Sequence, residues 1–135
     1  DWPEGSAMHT GLLAQGERDS DLKILTQQHK ALLALIRKNA SDISYMADAV
    51  NKMHEAWLKY YPEECWVVGA MPEAGGSWPS AYAALCEAEV VRARLVLVKK
   101  AKDCIEKLPK DERMDGQNNC VQPLLLVAAS DETNS

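Results

Sequence analysis

The chain runs Trp57-Leu-Lys-Tyr-Tyr-Pro-Glu-Glu-Cys65 where one amphipathic pattern ends, and it reaches Cys86 soon after a second such pattern begins. Between the two cysteines lies an apolar segment, rich in glycine and proline, that passes through Gly75-Gly76-Ser77. A disulfide between Cys65 and Cys86 would close this segment into a loop. In the chain-entropy model such a closure stabilises the fold by roughly 3 kcal/mol. The sequence therefore predicts a rigid, stapled loop between two helices.

The cysteine pattern predicts disulfides and an oxidising compartment. The four cysteines form an even set without a Cys-x-x-Cys pair, and the three histidines show no metal-ligand spacing to them. Four cysteines allow three pairings. We favour Cys65 with Cys86 and Cys104 with Cys120, because each pair closes a local loop of moderate length. Since disulfides persist in oxidising compartments, we expect the protein to reside in such a compartment and to bind no metal.

Apolar periodicity predicts an all-α fold, a small bundle of three main helices at about residues 20–39, 41–61 and 79–108. Pro62 is expected to break or kink the second helix unless it opens a new turn, and Pro109 is expected to end the third. The expected buried stripes are Leu22, Leu25, His29, Leu32 and Ile36 in the first helix; Ile43, Met46, Val50, Met53, Trp57 and Tyr60 in the second; and Tyr82, Cys86, Val90, Ala93, Leu97, Ala101, Cys104 and Leu108 in the third.

The segments outside these helices are expected to be irregular. Residues 1–19 contain three glycines and one proline and are interpreted as an N-terminal arm before a helical domain at 20–108. Residues 109–135 are interpreted as a C-terminal tail, with a turn at Asp115-Gly116 and a disulfide tether from Cys104 to Cys120. Asp19 or Ser20 is the expected cap of the first helix, and Ser41 with Asp42 that of the second.

Length and charge limit the functional classes. With 135 residues, 47% of them hydrophobic, the chain can bury one ordinary core. Lysine and arginine total 15 against 20 acidic residues, a net charge of −5, which argues against nucleic acid or an anionic membrane as partner. No apolar run approaches the ~20 residues of a membrane span. An acidic surface suits a basic protein partner and also serves solubility.

The sequence contains no motif that indicates catalysis or a cofactor. Gly-x-Ser-x-Gly, His-Glu-x-x-His, the dinucleotide fingerprint and the Walker loop are all missing. Gly75-Gly76 has no nearby lysine of the phosphate-loop type, and Glu63 with Glu64 is interpreted as helix capping. A cysteine nucleophile would need a free thiol, whereas all four cysteines are expected to be in disulfides. His29 and His54 lie on or beside apolar stripes, where a packed neutral histidine is expected. We predict a protein that is not an enzyme and binds no cofactor.

One family shares several of these features in the same order. Ala56-Trp57-Leu-x-Tyr60, Glu64-Cys65, the Gly75-Gly76-Ser77 loop, and Cys86 followed by Arg94 and Val98 together resemble the LprI-type lysozyme-inhibitor family over about residues 20–108. The chain departs from that family by lacking its N-terminal cysteine pair, by Val91 in place of threonine, by Pro62, and by carrying Cys104 and Cys120. The resemblance implies a small secreted or periplasmic helical domain.

The same resemblance implies a binding protein that inhibits a cell-wall hydrolase or neutralises a secreted toxin. A stapled apolar loop has the form that a cleft inhibitor presents, because preorganisation lowers the ordering cost of binding. The alternative is a structural or small-ligand-binding helical module of the bacterial envelope, with an apolar pocket lined by Met46, Met53 and Trp57. For the inhibitor, the expected partner-binding residues are Trp66, Met71, Glu73, Gly75, Gly76, Ser77 and Trp78. The alternative for Trp66 and Trp78 is that each packs under the loop as part of the core.

Overall fold

The computed structural model describes residues 2–40 and 44–126, and these residues form four α-helices with no strand. The helices are α1 (Ala7–Lys38), α2 (Tyr45–Ala70), α3 (Trp78–Lys107) and α4 (Arg113–Val121). Short 3-10 turns precede and follow α4. The helix α3 packs against each of the other three and forms the centre of the bundle. The prediction of an all-α fold with three main helices is confirmed.

The first helix begins well before the predicted start near residue 20. Ser6 caps it, because its hydroxyl oxygen accepts a hydrogen bond from the backbone N–H of His9 at 3.1 Å. Gly11 lies against α3, where an added Cβ would stand 3.5 Å from the Cα of Ala81. Packing of two backbones compensates the poor helix propensity of glycine, which the sequence pattern alone did not show. The prediction of an irregular arm through residue 19 is therefore wrong from Ala7 onward.

The second helix starts at an unpredicted cap. The hydroxyl oxygen of Ser44 accepts a hydrogen bond from the N–H of Ala47 at 3.0 Å. The predicted caps Ser41 and Asp42, together with Ile43, lie outside the described residues. The buried face of α2 also differs from the predicted stripe by one position. Tyr60 was expected to be buried but is 57% exposed, whereas its neighbour Tyr61 is 5% exposed.

Pro62 does not end α2, which continues for two more turns to Ala70. Proline inside a helix removes one backbone hydrogen bond. The turns that follow it are nevertheless anchored on α3, because Cys65 is fully buried and bonded to Cys86, and Gly69 fits directly against the start of α3. The predicted end at residue 61 is thus wrong, since tertiary packing offsets the local cost of the proline.

The C-terminal part is more regular than predicted. The helix α3 ends at Lys107, before Pro109 as expected. The polar segment predicted as a loop with a turn at Asp115-Gly116 instead folds into α4. This helix is pinned to α3 by the disulfide between Cys104 and Cys120. The predicted tail at 109–135 is therefore helical in its first part, and residues 127–135 lie outside the described residues.

The core is formed mainly where α1 and α3 pack along each other. Two ion pairs, Arg18 with Glu87 and Asp21 with Arg92, also join these helices. Nearer the start of each helix, a smaller cluster formed by Ala14, Ala84 and Ala88 allows α1 and α3 to approach closely. The most deeply buried large side chains are Leu25, Leu32 and Ile36 of α1 and Val91, Val98 and Ile105 of α3.

Candidate binding surfaces

The first candidate surface is the end of the α2–α3 hairpin, here called the hairpin end and defined as residues 65–86. Its two helices are joined by the predicted disulfide between Cys65 and Cys86, whose Cα atoms lie 5.5 Å apart. Both cysteines lie inside helices, so the bond staples helix to helix. The irregular connection is limited to residues 71–77. The closed segment predicted as a long loop is mostly helical and correspondingly stiffer.

Gly69 sets the closest approach of the two helices at the hairpin end. A Cβ at this position would overlap the carbonyl oxygen of Pro79 and lie 3.0 Å from the backbone nitrogen of Ala83. Both neighbours are backbone atoms, which cannot move aside without shifting α3. Only glycine therefore permits this contact, and the position joins the disulfide in fixing the geometry of the hairpin end.

Two of the predicted partner-binding residues are large, apolar and exposed. Trp66, on the outer face of α2, is 52% exposed, and Met71, at the end of the helix, is 67% exposed. Val67 and Val68 beside them are exposed as well. Trp78, in contrast, is half-buried and stacks on Tyr82 with ring centroids 5.4 Å apart. Trp66 thus belongs to the surface, whereas Trp78 packs partly under it.

The connection carries the other predicted residues. Glu73 has φ 57°, and Gly76 has φ 64°. A positive φ is uncommon for a residue other than glycine and is found at functional sites more often than elsewhere. The N–H of Glu73 donates to the carbonyl of Ala70 at 3.0 Å, which fixes this turn. Gly75 has open space around it, and Ser77 precedes α3 without capping it through its side chain.

The start of α1 lies beside the hairpin end, a neighbour that the sequence analysis missed. A cavity of about 200 Å³ is shared by Met8, Gly11 and Leu12 of α1 and by Ser77 and Ala81 of the hairpin end. Leu12 and Leu13 are exposed. Because residues 1–19 were predicted to be irregular, the N-terminal extension of α1 was missed, although the adjacent Leu12 and Leu13 in a polar segment were a signal for it.

The second candidate surface is an apolar cleft of about 520 Å³ between α2, α3 and the turn after α4. Met53 and Trp57, two of the residues expected to line a pocket, lie on its α2 side. Met46 lines a neighbouring cavity of about 350 Å³, to which Met53 also contributes. The remaining residues of the larger cleft are Ala56, Tyr60, Val90, Ala93, Arg94, Leu97, Leu124, Leu125 and Leu126.

Arg94 is the charged residue of this cleft, and it is only 8% exposed. Its guanidinium lies over the ring of Trp57, 5.4 Å from the centroid, and its Nη1 donates to the carbonyl oxygen of Leu124 at 2.9 Å. Burial lowers the pKa of this guanidinium. Within residues 2–40 and 44–126, no acceptor reaches its Nε and no carboxylate forms an ion pair with it. An arginine within the apolar face of α3 was the signal in the sequence.

The two packed histidines were expected to be buried, and they are. His29 and His54 stack with ring centroids 3.8 Å apart, and Nε2 of His29 lies 3.0 Å from Oδ1 of Asn51. Burial, with smaller contributions from the charges of His29 and Arg94, lowers the pKa of His54 to about 4. Burial also lowers the pKa of His29. Both rings are therefore neutral at pH 7.

The described residues contain neither a candidate metal site nor a candidate membrane span. In the parts of the chain at 2–40 and 44–126, no group of three or more histidine, cysteine, aspartate or glutamate side chains could hold a metal ion. Nor is any helix in those same parts long and apolar enough to cross a membrane. Both predicted disulfides are present, so none of the four cysteines is free.

Comparison with known proteins found no matching family model, no matching curated protein and no matching solved structure. The resemblance to LprI-type lysozyme inhibitors therefore stays a prediction from the sequence, and functional conclusions depend on the two surfaces described above.

Proposed function

We propose that this is a periplasmic or secreted binding protein that inhibits a cell-wall hydrolase or neutralises a secreted toxin. The observation that carries the proposal is the display of Trp66 and Met71 on a stapled helix, where both side chains are more than half exposed. Tryptophan and methionine are enriched in the centres of protein interfaces, and tryptophan is prominent among the residues that dominate binding energy. Their exposure next to a fixed turn supports a role in contacting another protein.

Rigidity of the hairpin end supports the same role. The disulfide, the Gly69 contact and the helical form of residues 65–70 all restrict motion before a partner arrives. A surface that is already ordered loses less conformational entropy on binding.

Charge at and beside the hairpin end favours a basic partner. Glu73 is the one charged residue within residues 65–86, and the flanking positions out to residues 60 and 91 add four glutamates and no lysine, arginine or histidine. Glu87 is paired with Arg18 of α1, whereas Glu63, Glu64 and Glu73 are exposed. Complementary charge accelerates encounter and suppresses wrong partners. Basic lysozymes and other basic hydrolases thus fit this end better than acidic proteins do.

The proposal is tested with a basic lysozyme and a suspension of peptidoglycan whose turbidity reports lysis. We expect the wild-type chain to slow lysis. Replacement of Trp66 by alanine should weaken inhibition about 30-fold or more, because loss of a central interface tryptophan costs about 2 kcal/mol or more. Tyr45→Ala is the matched control, since Tyr45 is an exposed aromatic at the opposite end of the same helix.

A second set of variants addresses the turn. Replacing Glu73, Gly75 and Gly76 together should abolish inhibition and leave the helical far-UV signal unchanged, because these residues belong to the connection and not to a helix. If both the Trp66 variant and the turn variant inhibit as well as the wild type, the hairpin end is scaffold and the proposed interface is wrong. If the wild type inhibits no lysozyme of any structural class, the hydrolase branch of the proposal fails.

A further inference from the structure

The charged residue of the apolar cleft lies well away from the turn of the hairpin end. Arg94 is sixteen positions after Trp78 on α3, which corresponds to about 24 Å along the helix axis. The cleft volume of about 520 Å³ falls within the range of small-molecule sites, which is about 300–1,000 Å³. Binding in this cleft would therefore go beyond the function proposed for the hairpin end.

The lining of the cleft combines a long apolar wall with one buried cation. Met53, Trp57 and Leu97 contribute apolar surface, and Arg94 contributes the charge. A buried charge without a counter-charge is costly, because the interior does not replace the water that solvated it. Within the described part of the chain, the guanidinium donates to only one carbonyl oxygen, that of Leu124, and otherwise lies over the ring of Trp57. A negatively charged group would complete its environment.

The neighbours of Arg94 also hold it in a fixed orientation. The guanidinium lies over the ring of Trp57, and its Nη1 donates a hydrogen bond to the carbonyl oxygen of Leu124. An arginine held in this way can donate to a carboxylate with little further loss of side-chain freedom. The same turn places Leu125 and Leu126 at the cleft, so the region beside the cation is apolar.

We propose that the cleft binds a single-chain amphiphile with a carboxylate head, of the fatty-acid type, whose head group pairs with Arg94 and whose hydrocarbon chain lies between α2 and α3. Charge complementarity selects the head group, and the apolar lining selects the chain. A carboxylate offers two oxygens to the guanidinium, whereas an alcohol offers a weaker, uncharged acceptor.

The test is isothermal titration of the full chain with dodecanoate, and with dodecanol and dodecylamine as ligands of the same chain length. We expect dodecanoate to bind at least about 10-fold more tightly than dodecanol, the factor that follows from losing one charge-assisted hydrogen bond. Dodecylamine should bind most weakly. Acetate should not bind measurably, because it lacks the chain.

Two variants and one control locate the site. Arg94→Met keeps an unbranched, flexible side chain that can pack against Trp57 and removes the charge, so it should fold and lose the preference for dodecanoate over dodecanol. Ala56→Phe should fill the cleft and weaken both ligands. Lys100→Met removes the same charge from an exposed position of α3 and should bind like the wild type. Thermal unfolding of each variant verifies that it is folded.

Three results would overturn the proposal. The first is failure of the folded full chain to bind dodecanoate, whatever group then covers Arg94. The second is equal affinity for dodecanoate and dodecanol in the wild type. The third is a dimer in sedimentation that Ala56→Phe disrupts while dodecanoate has no effect, because a second copy of the chain would then occupy the cleft. None of these results bears on the hairpin end, whose test uses other residues and another readout.

Discussion

At the scale of single residues, Gly69 and His54 show how one position constrains the rest of the molecule. Gly69 has backbone atoms of α3 in the space that any larger side chain would need. His54 is a titratable ring held between His29 and Trp57 in the core. The Gly69 constraint is not visible in the local sequence, because it depends on backbone atoms of α3, whereas the apolar stripe of α2 already predicted a packed, neutral His54.

Replacing Gly69 by alanine should destabilise the fold. The new Cβ would force α2 and α3 apart, and overpacking of this kind costs about 1–3 kcal/mol. Gly16→Ala is the control, because Gly16 lies in α1 with open space around its Cα and alanine favours helix there by roughly 0.5–1 kcal/mol. Urea unfolding followed by circular dichroism measures both changes. A stable Gly69→Ala variant would contradict the observed closeness of the helices.

Stability should fall as the pH drops from about 6.5 to about 4. The pKa of His54 is lowered from 6.5 to about 4 in the folded chain, first by burial and then by the charges of His29 and Arg94. Between these values the unfolded chain binds the proton and the folded chain does not, so acid favours unfolding. The loss should be on the order of 2 kcal/mol. Unfolding of His54→Phe should depend less on pH over this interval than that of the wild type; parallel curves would argue against this role of His54.

At the scale of elements, each disulfide fixes a different helix on α3. The bond from Cys65 to Cys86 holds the last turns of α2, and the bond from Cys104 to Cys120 holds α4. The two bonds are similar in loop length, with sequence separations of 21 and 16 residues. Their consequences for stability should therefore be similar, and their consequences for the proposed interface should differ.

Replacing Cys65 and Cys86 by serine should lower the free energy of unfolding by about 2–4 kcal/mol. It should also increase amide hydrogen exchange in residues 66–80. Pro62 already removes one backbone hydrogen bond from this part of α2, and without the disulfide only packing against α3 would hold its last turns. The variant without Cys104 and Cys120 is the matched control, in which exchange should rise in α4 and stay unchanged at the hairpin end. Equal exchange at the hairpin end in both variants would mean that the first disulfide does not order it.

Apolar spacing was sufficient to predict the three main helices and the bounds of α3, and it failed at the start of α1 and at the end of α2. The stripe containing Leu25, Leu32 and Ile36 identified α1, but the glycines before it concealed its first thirteen residues, which depend on contact with α3. Pro62 concealed the last turns of α2 for the same reason. Local sequence reports propensity, whereas these boundaries are decided by packing between elements.

The candidate surfaces were predictable to different extents. The cysteine spacing led to the correct pairs, and the apolar segment after Cys65 led to Trp66 and Met71, which are exposed. The cleft residues Met53 and Trp57 were also anticipated. The isolation of Arg94 was not, because the absence of a carboxylate around it among residues 2–40 and 44–126 is a property of three dimensions that one helix cannot reveal.

At the scale of the whole molecule, the chain is a central helix with partners stapled to it at both ends. One end presents exposed apolar and acidic residues, and the middle contains a cleft with a buried cation. Binding through a preorganised hairpin end requires that α2 and α3 are covalently joined close to the turn that connects them. The pairing of Cys65 with Cys86 is therefore the claim on which the account depends most.

Mass spectrometry of the unreduced protein after trypsin tests that pairing directly. Trypsin has no cleavage site within residues 60–91, so Cys65 and Cys86 fall in one peptide, 60–92, which should be lighter than its reduced form by two hydrogen atoms. A further cut after Glu73 should leave its two parts linked. Peptides 103–107 and 114–135 should be joined through Cys104 and Cys120. A free thiol in peptide 60–92, or a link from it to either of the other peptides, would contradict the account.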